Sequence, residues 1–464
     1  MVATVGIEHA PVEELQAMLR GQLVRPGDNG YDAARTIWNA MIDRRPAIVA
    51  RCAGAADVIA AVQFAREHDM EVSVRGGGHN VAGNAVAEDG LMIDLSPMKS
   101  IRVDPVTRTA RVEPGVVWAE LDAEAQAFGL ATVGGTVNTT GVAGLTLGGG
   151  FGWLTGKHGL TVDNLLSADV VTADGRLLRA SADENPDLFW ALRGAGANFG
   201  VVTSFEFRLH PVGPMILGGL ALYPIDQIRD VMRFYREYLA GAPDELTIYA
   251  AALTTPDGVP AAALALCYCG DLDEGERVIT PVREFGNPLV DMLQPMPYLA
   301  QQGLLSQGFP DGRQNYWKAG LSTTLTDEAI EVIAEYAPRV PSPLTAMVLA
   351  GNGGAALRVG ASEMAYYHRD ALYNLMILSH WEDPAENERN IGWTREFFSA
   401  VQPHLSGGVY VNDLNDARDE GEARVREAYG ANYTRLAEIK AKYDPTNFFR
   451  LNQNIQPVGQ RLRS

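Results

Sequence analysis

The sequence predicts an α+β protein of two domains, the second built on an antiparallel sheet that helices cover on one face. Short strand and helix patterns alternate up to residue 213. Longer strand-like runs flanked by helices follow Pro214, which indicates a second domain over residues 214–408. Apolar residues make up 47% of the 464 residues, which is enough for sizeable cores and excludes wholesale disorder.

The first domain begins with a helical lead-in and continues with short elements. Apolar residues at helical spacing predict a helix within 12–23, and a turn follows at 26–30. The patterns that follow predict strands at 47–51, 71–74, 91–94, 100–103, 109–112, 168–172 and 201–208, and helices at 55–68 and 118–128.

Residues 131–160 form the most glycine-dense part of the chain. Large apolar residues such as Val142, Leu147 and Trp153 are interleaved with the glycines. Flexible linkers are polar and rich in Gly and Ser. The mixture therefore predicts a packed backbone that lies against a flat partner.

The second domain alternates strands and helices. The patterns predict helices at 225–239 and 274–285 and strands at 246–253, 261–269, 346–350 and 373–379. The chain closes with a predicted helix at 420–442 and a polar run at 443–454.

Charge and cysteine usage narrow the classes of partner. Lys and Arg number 38 against 57 Asp and Glu, a net charge of −19, which disfavours binding to nucleic acid or to anionic lipid. Cys52, Cys267 and Cys269 form neither a disulfide framework nor a zinc pair, which fits a reducing compartment and no metal site. No secretory signal and no apolar stretch of about 18 residues is readable, so we expect a cytoplasmic protein that does not span a membrane.

Two glycine loops are candidates for ligand binding, the loop at residues 76–78 and the glycine-dense stretch at 131–160. Gly76, Gly77 and Gly78 follow a predicted strand, where consecutive glycines free backbone N–H groups to form an anion-binding nest, with Arg75 beside it as a cation. Neither loop matches a dinucleotide-binding fingerprint. A structural hairpin explains the first loop alone equally well, but the two loops together favour a ligand site.

His79 is the most specific single candidate for ligand binding, because an imidazole directly after a glycine nest would lie beside the ligand that the nest holds. Its bland interpretation is a solvated loop histidine. The surrounding motifs decide in favour of the ligand site.

Further motifs stand beside VRGGGHN at 74–80. They are MIDLSPM at 92–98, VEPG at 112–115, GVAG to GGGFG at 141–152, DLFWALRG at 187–194, NFGVV at 198–202 and the terminal YDPTNFFRLNQNI at 443–455. Together these stretches resemble the vanillyl-alcohol oxidase superfamily of flavin enzymes and, within it, the berberine bridge enzyme-like branch. They occur in the family's order from about residue 30 onward.

The resemblance implies a two-part FAD-binding domain of the PCMH type over 1–213, with its core at about 43–213. It also implies a substrate domain over 214–408 and a C-terminal segment, 409–464, that returns to the FAD domain. His79 matches the histidine that bonds covalently to the flavin, which raises the flavin's reduction potential. The implied cofactor-binding residues are Arg75, Gly76, Gly77, Gly78, His79, Asn80, Gly83, Leu95, Gly135, Val137, Thr139, Gly141, Val142, Gly144, Gly149, Gly152, Trp153, Gly200, Val201, Tyr410, Asn412, Asn452 and Asn454.

The sequence departs from the family pattern at three positions. Val137 stands where many relatives place a second flavin-linking cysteine, so a single covalent link through His79 is implied. Asp413 and His158 stand where relatives commonly carry tyrosines.

Hydride removal from an alcohol or amine requires a base for the O–H or N–H proton. The candidates are Asp413, His158, Tyr410, Tyr366 and Tyr367, of which we predict the first three as the catalytic residues. Asp413 is a base if burial raises its pKa and a solvated loop carboxylate otherwise. His158 is either a pocket residue or a core histidine. Tyr366 or Tyr367, on a predicted strand, and Tyr316, Lys318 and Arg358 are further candidates for the substrate side.

Three functions fit these features. The first is an FAD-dependent oxidase that takes a hydride from an alcohol, sugar or related CH–OH or CH–NH substrate and passes electrons to dioxygen. The second is a flavin dehydrogenase with another electron acceptor, and the third is a non-catalytic flavin- or ligand-binding module. The substrate and the oligomeric state are not readable from the sequence.

Overall fold

The computed structural model describes residues 12–459, without the side chains of residues 417 and 418. Residues 1–11 and 460–464, which belong to the predicted first and last segments, lie outside the described residues. Three sheets organise the chain, two small ones before residue 209 and a large one after residue 214.

The first sheet has four strands, and its last three are parallel. Their order is Gln22–Val24, Ile48–Arg51, Leu91–Asp94 and Val72–Arg75. The helix Ala55–Glu67 buries Val58, Val62 and Phe64 in a core that also holds Val171 and Val201 of the second sheet. The helix therefore lies between the two sheets.

The second sheet is antiparallel throughout. Its order is Ile101–Asp104, Thr109–Val112, Val201–Arg208, Leu165–Val171 and Leu177–Ser181. Its core also contains residues of the helices Trp118–Gln126, Val142–Gly148, Pro186–Ala195 and Tyr433–Tyr443. The last of these helices comes from the C-terminal segment, which thus packs on the first half of the chain.

The third sheet has eight antiparallel strands. Its main path is Val290–Asp291, Met215–Pro224, Pro260–Tyr268, Leu246–Thr254, Ala346–Gly351, Tyr373–Trp381 and Gln314–Ser322, and Gln294–Pro297 also pairs with Met215–Pro224. One face packs against the helices Ile228–Ala240, Leu272–Glu284, Asp327–Tyr336 and Asn387–Val401. Because side chains alternate along a strand, Ile248 and Ala250 face these helices while Tyr249 faces the first half of the chain.

Short elements connect these layers. A two-stranded sheet joins Leu130–Ala131 to His210–Pro211. The short helices are Val12–Met18, Tyr31–Arg35, Thr155–His158, Tyr298–Gly303, Ala417–Glu420 and Glu422–Tyr429. Between residues 12 and 459, no helix has the length and apolar character needed to cross a membrane.

The predicted class, α+β with an antiparallel sheet covered by helices, is confirmed, and most predicted elements lie within two or three residues of the observed ones. The single helix predicted at 420–442 is wrong. The chain turns at Gly430, whose φ is +50°, and a Cβ there would meet the Tyr367 ring at 2.2 Å. The strands Met215–Pro224 and Gln314–Ser322 and the helix Asn387–Val401 were not predicted.

A buried ion pair fastens the C-terminal segment. Lys440 and Asp444 are both fully buried, and Lys440 Nζ donates to Asp444 Oδ2 at 2.7 Å and to the carbonyls of Asn198 and Phe449. Asp444 also accepts from the backbone N–H groups of Phe448 and Phe449. Both charges are therefore fully hydrogen-bonded, as burial requires.

Replacing Lys440 with Met should destabilise the protein by about 3–5 kcal/mol, because the carboxylate of Asp444 would stay buried without its cation. Lys442→Met is the matched control, since Lys442 pairs with Asp187 at the surface of the same helix and such exposed pairs contribute about 0–1 kcal/mol. Thermal unfolding of the two variants measures the difference. Equal melting temperatures would contradict the assigned role.

Candidate active site

A large cavity lies between the third sheet and the loops of the first two sheets. Its volume is about 1130 Å³. The predicted residues that line it are Gly76, Gly77, Gly78, His79, Asn80, Leu95, Gly135, Val137, Gly141, Gly144, Gly200, Val201, Tyr410, Asn412, Asp413 and Asn452. The cavity therefore collects residues that are more than 370 positions apart in the sequence.

The two glycine loops meet on the cavity wall. A Cβ on Gly77 would lie 2.6 Å from the Cα of Gly141, and a Cβ on Gly141 would lie 2.6 Å from the N of Gly77. A Cβ on Gly76 would lie 2.9 Å from the carbonyl oxygen of Pro114. Glycine is required at these positions by close backbone approach, since no side chain fits.

His79 lines the cavity and stacks on Trp38, with ring centroids 4.2 Å apart and planes 15° apart. Burial lowers the pKa of His79 to about 4, so the imidazole is neutral at neutral pH. Its Nε2 atom is buried and has no hydrogen-bond partner within the described chain. The alternative of a solvated loop histidine is therefore wrong.

Arg75 is not a free cation beside the nest. Its guanidinium donates to both carboxylate oxygens of Asp94, at 3.0 and 2.9 Å, and to the carbonyl of Thr36. Asp94 is fully buried, and burial alone would raise its pKa. The charge and hydrogen bonds of Arg75 and the hydrogen bonds of Ser96 outweigh this effect, so the pKa of Asp94 is lowered. Arg75 thus holds the strand end that carries the nest and does not line the cavity.

Several predicted cofactor-binding residues do not line the cavity. These are Gly83, Thr139, Val142, Gly149, Gly152, Trp153 and Asn454. A Cβ on Gly149 would meet the Tyr366 ring at 2.6 Å, and one on Gly152 would meet the carbonyl oxygen of Gly134 at 1.8 Å. Trp153 stacks on Tyr249, with ring centroids 5.1 Å apart. Gly149, Gly152 and Trp153 therefore pack against neighbouring residues and do not face the cavity.

His158 does not line the cavity, so its prediction as a catalytic residue is not supported by its position. It ends the short helix Thr155–His158 and stacks on His210, with ring centroids 3.9 Å apart. Burial and the neighbouring His210 lower the pKa of His158 to about 3. A neutral, stacked histidine outside the cavity corresponds to the core alternative.

Asp413 is buried on the cavity wall, in the short helix Val411–Asp413. Its Oδ2 accepts a hydrogen bond from Asn374 Nδ2 at 2.8 Å. Burial raises the pKa of Asp413 to about 7, and the Asn374 hydrogen bond lowers it in part. The solvated alternative for Asp413 is wrong, and its pKa suits proton transfer near neutral pH.

Tyr410 lies beside Asp413 with its hydroxyl oxygen held by two donors. The N–H of Gly150 donates to it at 2.9 Å and Asn412 Nδ2 at 2.7 Å. Burial and the nearby Asp413 raise the pKa of Tyr410 well above its ordinary value. The phenol therefore keeps its proton and serves as a donor more readily than as a base.

The other polar candidates face away from the cavity. Tyr366 and Tyr367 lie in a loop, and the expected strand there is wrong. Tyr316 and Lys318 both donate to Asp419, and Arg358 pairs with Asp244. Trp317, which alternates with Tyr316 and Lys318 on the strand, lines the cavity in their place.

Sequence reasoning missed Asn374, Trp317 and His380. The strand Tyr373–Trp381 was predicted as far as residue 379, and its alternation would have placed residues 374, 376, 378 and 380 on one face. His380 lies on the wall with its Nδ1 bonded to the Asn315 side chain and its Nε2 buried without a partner in the described chain. The described residues hold no cluster of three His, Cys, Asp or Glu side chains that could bind a metal ion.

Comparison with known proteins gives the family. A family model described as an FAD binding domain matches residues 46–181, and one described as berberine and berberine like matches residues 409–456. The (R)-6-hydroxynicotine oxidase of Paenarthrobacter nicotinovorans is 34% identical over 460 residues, which cover 95% of this chain and 98% of that protein. The chain belongs to the berberine bridge enzyme-like FAD-linked oxidases.

Solved structures of other oxidases share the fold of this FAD-linked oxidase over nearly its whole length. The crystal structure of 6-hydroxy-D-nicotine oxidase from Arthrobacter nicotinovorans has a TM-score of 0.85 at 32% identity and covers 94% of this chain and 98% of its own. Xylooligosaccharide oxidase from Myceliophthora thermophila C1, in complex with xylobiose, has a TM-score of 0.87 at 26% identity and covers 97% and 100%. The protein is an enzyme, an FAD-dependent oxidase.

The cavity of this oxidase fits FAD. A Cβ on Gly144 would enter open space. The close approach of Gly77 and Gly141, which we call the glycine crossing, leaves the wall without side chains and therefore flat, as a planar ring system requires. His79 Nε2 and Asn452 Oδ1 are buried polar atoms without partners in the described chain, and both residues line the cavity. Bound FAD would satisfy such atoms.

Gly77→Ala should reduce the amount of FAD that copurifies with the oxidase, because its Cβ would force the two glycine loops apart. Gly392→Ala is the control, since a Cβ there meets nothing within 4 Å and lies in the helix Asn387–Val401. The ratio of flavin to protein absorbance after purification measures the effect. Full flavin content in Gly77→Ala would show that the crossing is dispensable.

Proposed function

We propose that this oxidase carries FAD on His79 through a single covalent bond and that Asp413 is the base of the reaction. The substrate is an alcohol or amine with a hydrogen on the carbon that bears the heteroatom, and dioxygen is the electron acceptor. FAD supplies the chemistry that accepts the hydride. The observation that carries the proposal is the buried Asp413, with a pKa of about 7, in the same cavity as the neutral His79.

His79 supports the covalent bond by its protonation state and position. A nucleophilic nitrogen must carry a lone pair, and the lowered pKa keeps the imidazole neutral. Stacking on Trp38 fixes the ring plane. Val137 lines the cavity where relatives place a second linking residue, and a valine side chain cannot form such a bond, which supports the single link.

Asp413 and Tyr410 support the proton transfer by having different protonation states. Asp413 accepts one amide hydrogen bond, from Asn374 to Oδ2, which leaves its other oxygen for a substrate proton. Tyr410 retains its own proton and is held by Gly150 and Asn412. An acid and a base with separated pKa values side by side are a common arrangement for catalysis.

The similarity to named oxidases supports the oxidase reaction. The names of these relatives refer to different substrates, a hydroxynicotine and xylooligosaccharides. Anaerobic reduction by a substrate followed by admission of air tests the acceptor. Rapid reoxidation is expected for an oxidase, whereas slow reoxidation would favour a dehydrogenase. Absence of reduction by every alcohol and amine tried would favour a binding module.

His79→Ala should bind FAD without a covalent bond, because the glycine wall and the C-terminal segment remain. After acid precipitation, wild-type protein should stay yellow with the flavin mass on the peptide that contains His79. The variant should release free FAD into the supernatant. His158→Ala is the matched control, a neutral histidine outside the cavity, and should keep its flavin attached. Free FAD from the wild type would refute the covalent bond.

Asp413→Asn should lower the rate of anaerobic flavin reduction by roughly 10²–10⁴ at neutral pH. Because the base acts when ionised and its pKa is about 7, the wild-type rate should rise with pH through about 7 and then level off. The variant should lose this limb, with unchanged flavin content.

Asp122→Asn is the matched control. Asp122 is another buried carboxyl whose pKa burial raises to about 7, with one amide partner, Gln302, but it lies outside the cavity. Its replacement should leave the pH profile of reduction in place. Wild-type reduction rates in Asp413→Asn would exclude Asp413 as the base.

A further inference from the structure

The face of the third sheet that closes the cavity is an apolar floor. Strand register places Leu222, Ala263, Ala251, Val348 and Met376 side by side in one row across five strands. All five line the cavity. The neighbouring row continues with Leu220, Ala265 and Tyr249.

Apart from the Tyr249 hydroxyl, the polar side chains of this floor lie at its two ends. At one end Asn374 holds Asp413. At the other end lie His380 and Trp317, whose ring nitrogens Nε2 and Nε1 are buried without partners in the described chain. Asn374 and His380 share a strand and are about 20 Å apart at ~3.3 Å per residue.

Charge follows the same division. Among the described residues that line the cavity, the side chains of the Asp, Glu, Lys and Arg types are Asp413 and Arg313. Arg313 lies at the His380 end. Burial lowers the pKa of His380, and the charge of Arg313 lowers it further. The floor between the two ends carries neither charge nor, apart from the Tyr249 hydroxyl, a hydrogen-bonding side chain.

This distribution decides between kinds of alcohol. An oligosaccharide has a hydroxyl on most of its ring carbons, and each would lose its water on this floor without gaining a partner, which is unfavourable. A fused or aromatic ring gains free energy on the same surface by burying apolar area. The alanines between Leu222 and Val348 leave room for a flat body.

We propose that the substrate is an alcohol or amine with a flat, apolar ring body, which lies on the floor with its reacting carbon at Asp413. The proposal rests on the proposed function for the position of the reacting end. It goes further in excluding oligosaccharides as the preferred class. A polar atom at the distant end of the substrate would pair with Trp317 or His380.

The test measures binding to the purified FAD-loaded enzyme under anaerobic conditions. 2-Naphthylmethanol and cellobiose are the probes, and the readouts are the perturbation of the oxidised flavin spectrum and the rate of bleaching. We expect 2-naphthylmethanol to bind at least about tenfold more tightly than cellobiose. Equal or tighter binding of cellobiose, or no spectral perturbation by 2-naphthylmethanol, would overturn the proposal.

Variants at Ala251 localise the binding. Ala251→Leu fills the space above the floor and should weaken binding of 2-naphthylmethanol by about tenfold or more, whereas Ala251→Ser, which is nearly the same size, should weaken it less. Ala240→Leu, on the exposed end of the helix Ile228–Ala240, should leave binding as in the wild type. Unchanged binding in Ala251→Leu would place the ring elsewhere and overturn the proposal.

The outcomes separate this proposal from the proposed function. Tight binding of 2-naphthylmethanol with bleaching at the same rate in wild type and Asp413→Asn would support the apolar floor and exclude Asp413 as the base. Bleaching by cellobiose with a rate that depends on Asp413 would support the base and overturn the substrate class.

Discussion

The active-site cavity depends on one steric constraint, the crossing of two backbones at Gly77 and Gly141. Each position would place a Cβ within 2.6 Å of the other loop, so the loops can meet only where both residues lack a side chain. The crossing joins the end of a parallel strand to the start of the helix Val142–Gly148. His79 follows two residues later, and its position relative to the wall is thereby fixed.

Side chains alternate between the two faces of the third sheet, and the two faces have different roles. One set of residues packs against four helices and contributes stability, and the other set forms the cavity floor. Trp317 lies on the floor while its neighbours Tyr316 and Lys318 bind Asp419 of the C-terminal segment. A single strand therefore supplies both a cavity residue and the attachment of the segment that carries Asp413.

Much of the fold could be predicted from the sequence because apolar periodicity and glycine placement act locally. The strands Leu91–Asp94, Thr109–Val112 and Val201–Arg208 lie at their predicted residues. The strand Gln314–Ser322 was missed because its polar residues, including Lys318, obscure the alternation until ion pairing with Asp419 is known. The break at Gly430 brings the backbone against the distant Tyr367 ring, and this tertiary contact is not visible in the helical periodicity of residues 420–442.

The candidate site was predictable to the same extent. Motif resemblance selected His79 and Asp413, which both line the cavity, but it also included Arg75 and His158, whose contacts with Asp94 and His210 are tertiary. Asn374 was missed because an asparagine within an apolar strand carries no sequence signal of its partner. Its role is visible only once Asp413 is brought against it.

Buried carboxyl groups in this molecule show why position has to accompany pKa in assigning a base. Asp94 and Asp413 are both removed from solvent, yet Arg75 lowers the pKa of Asp94 against the effect of burial, whereas Asp413 has only an amide partner and burial raises its pKa to about 7. Burial likewise raises the pKa of Asp122 to about 7. What distinguishes Asp413 is the cavity that it faces, because a proton acceptor is useful only where a substrate can reach it.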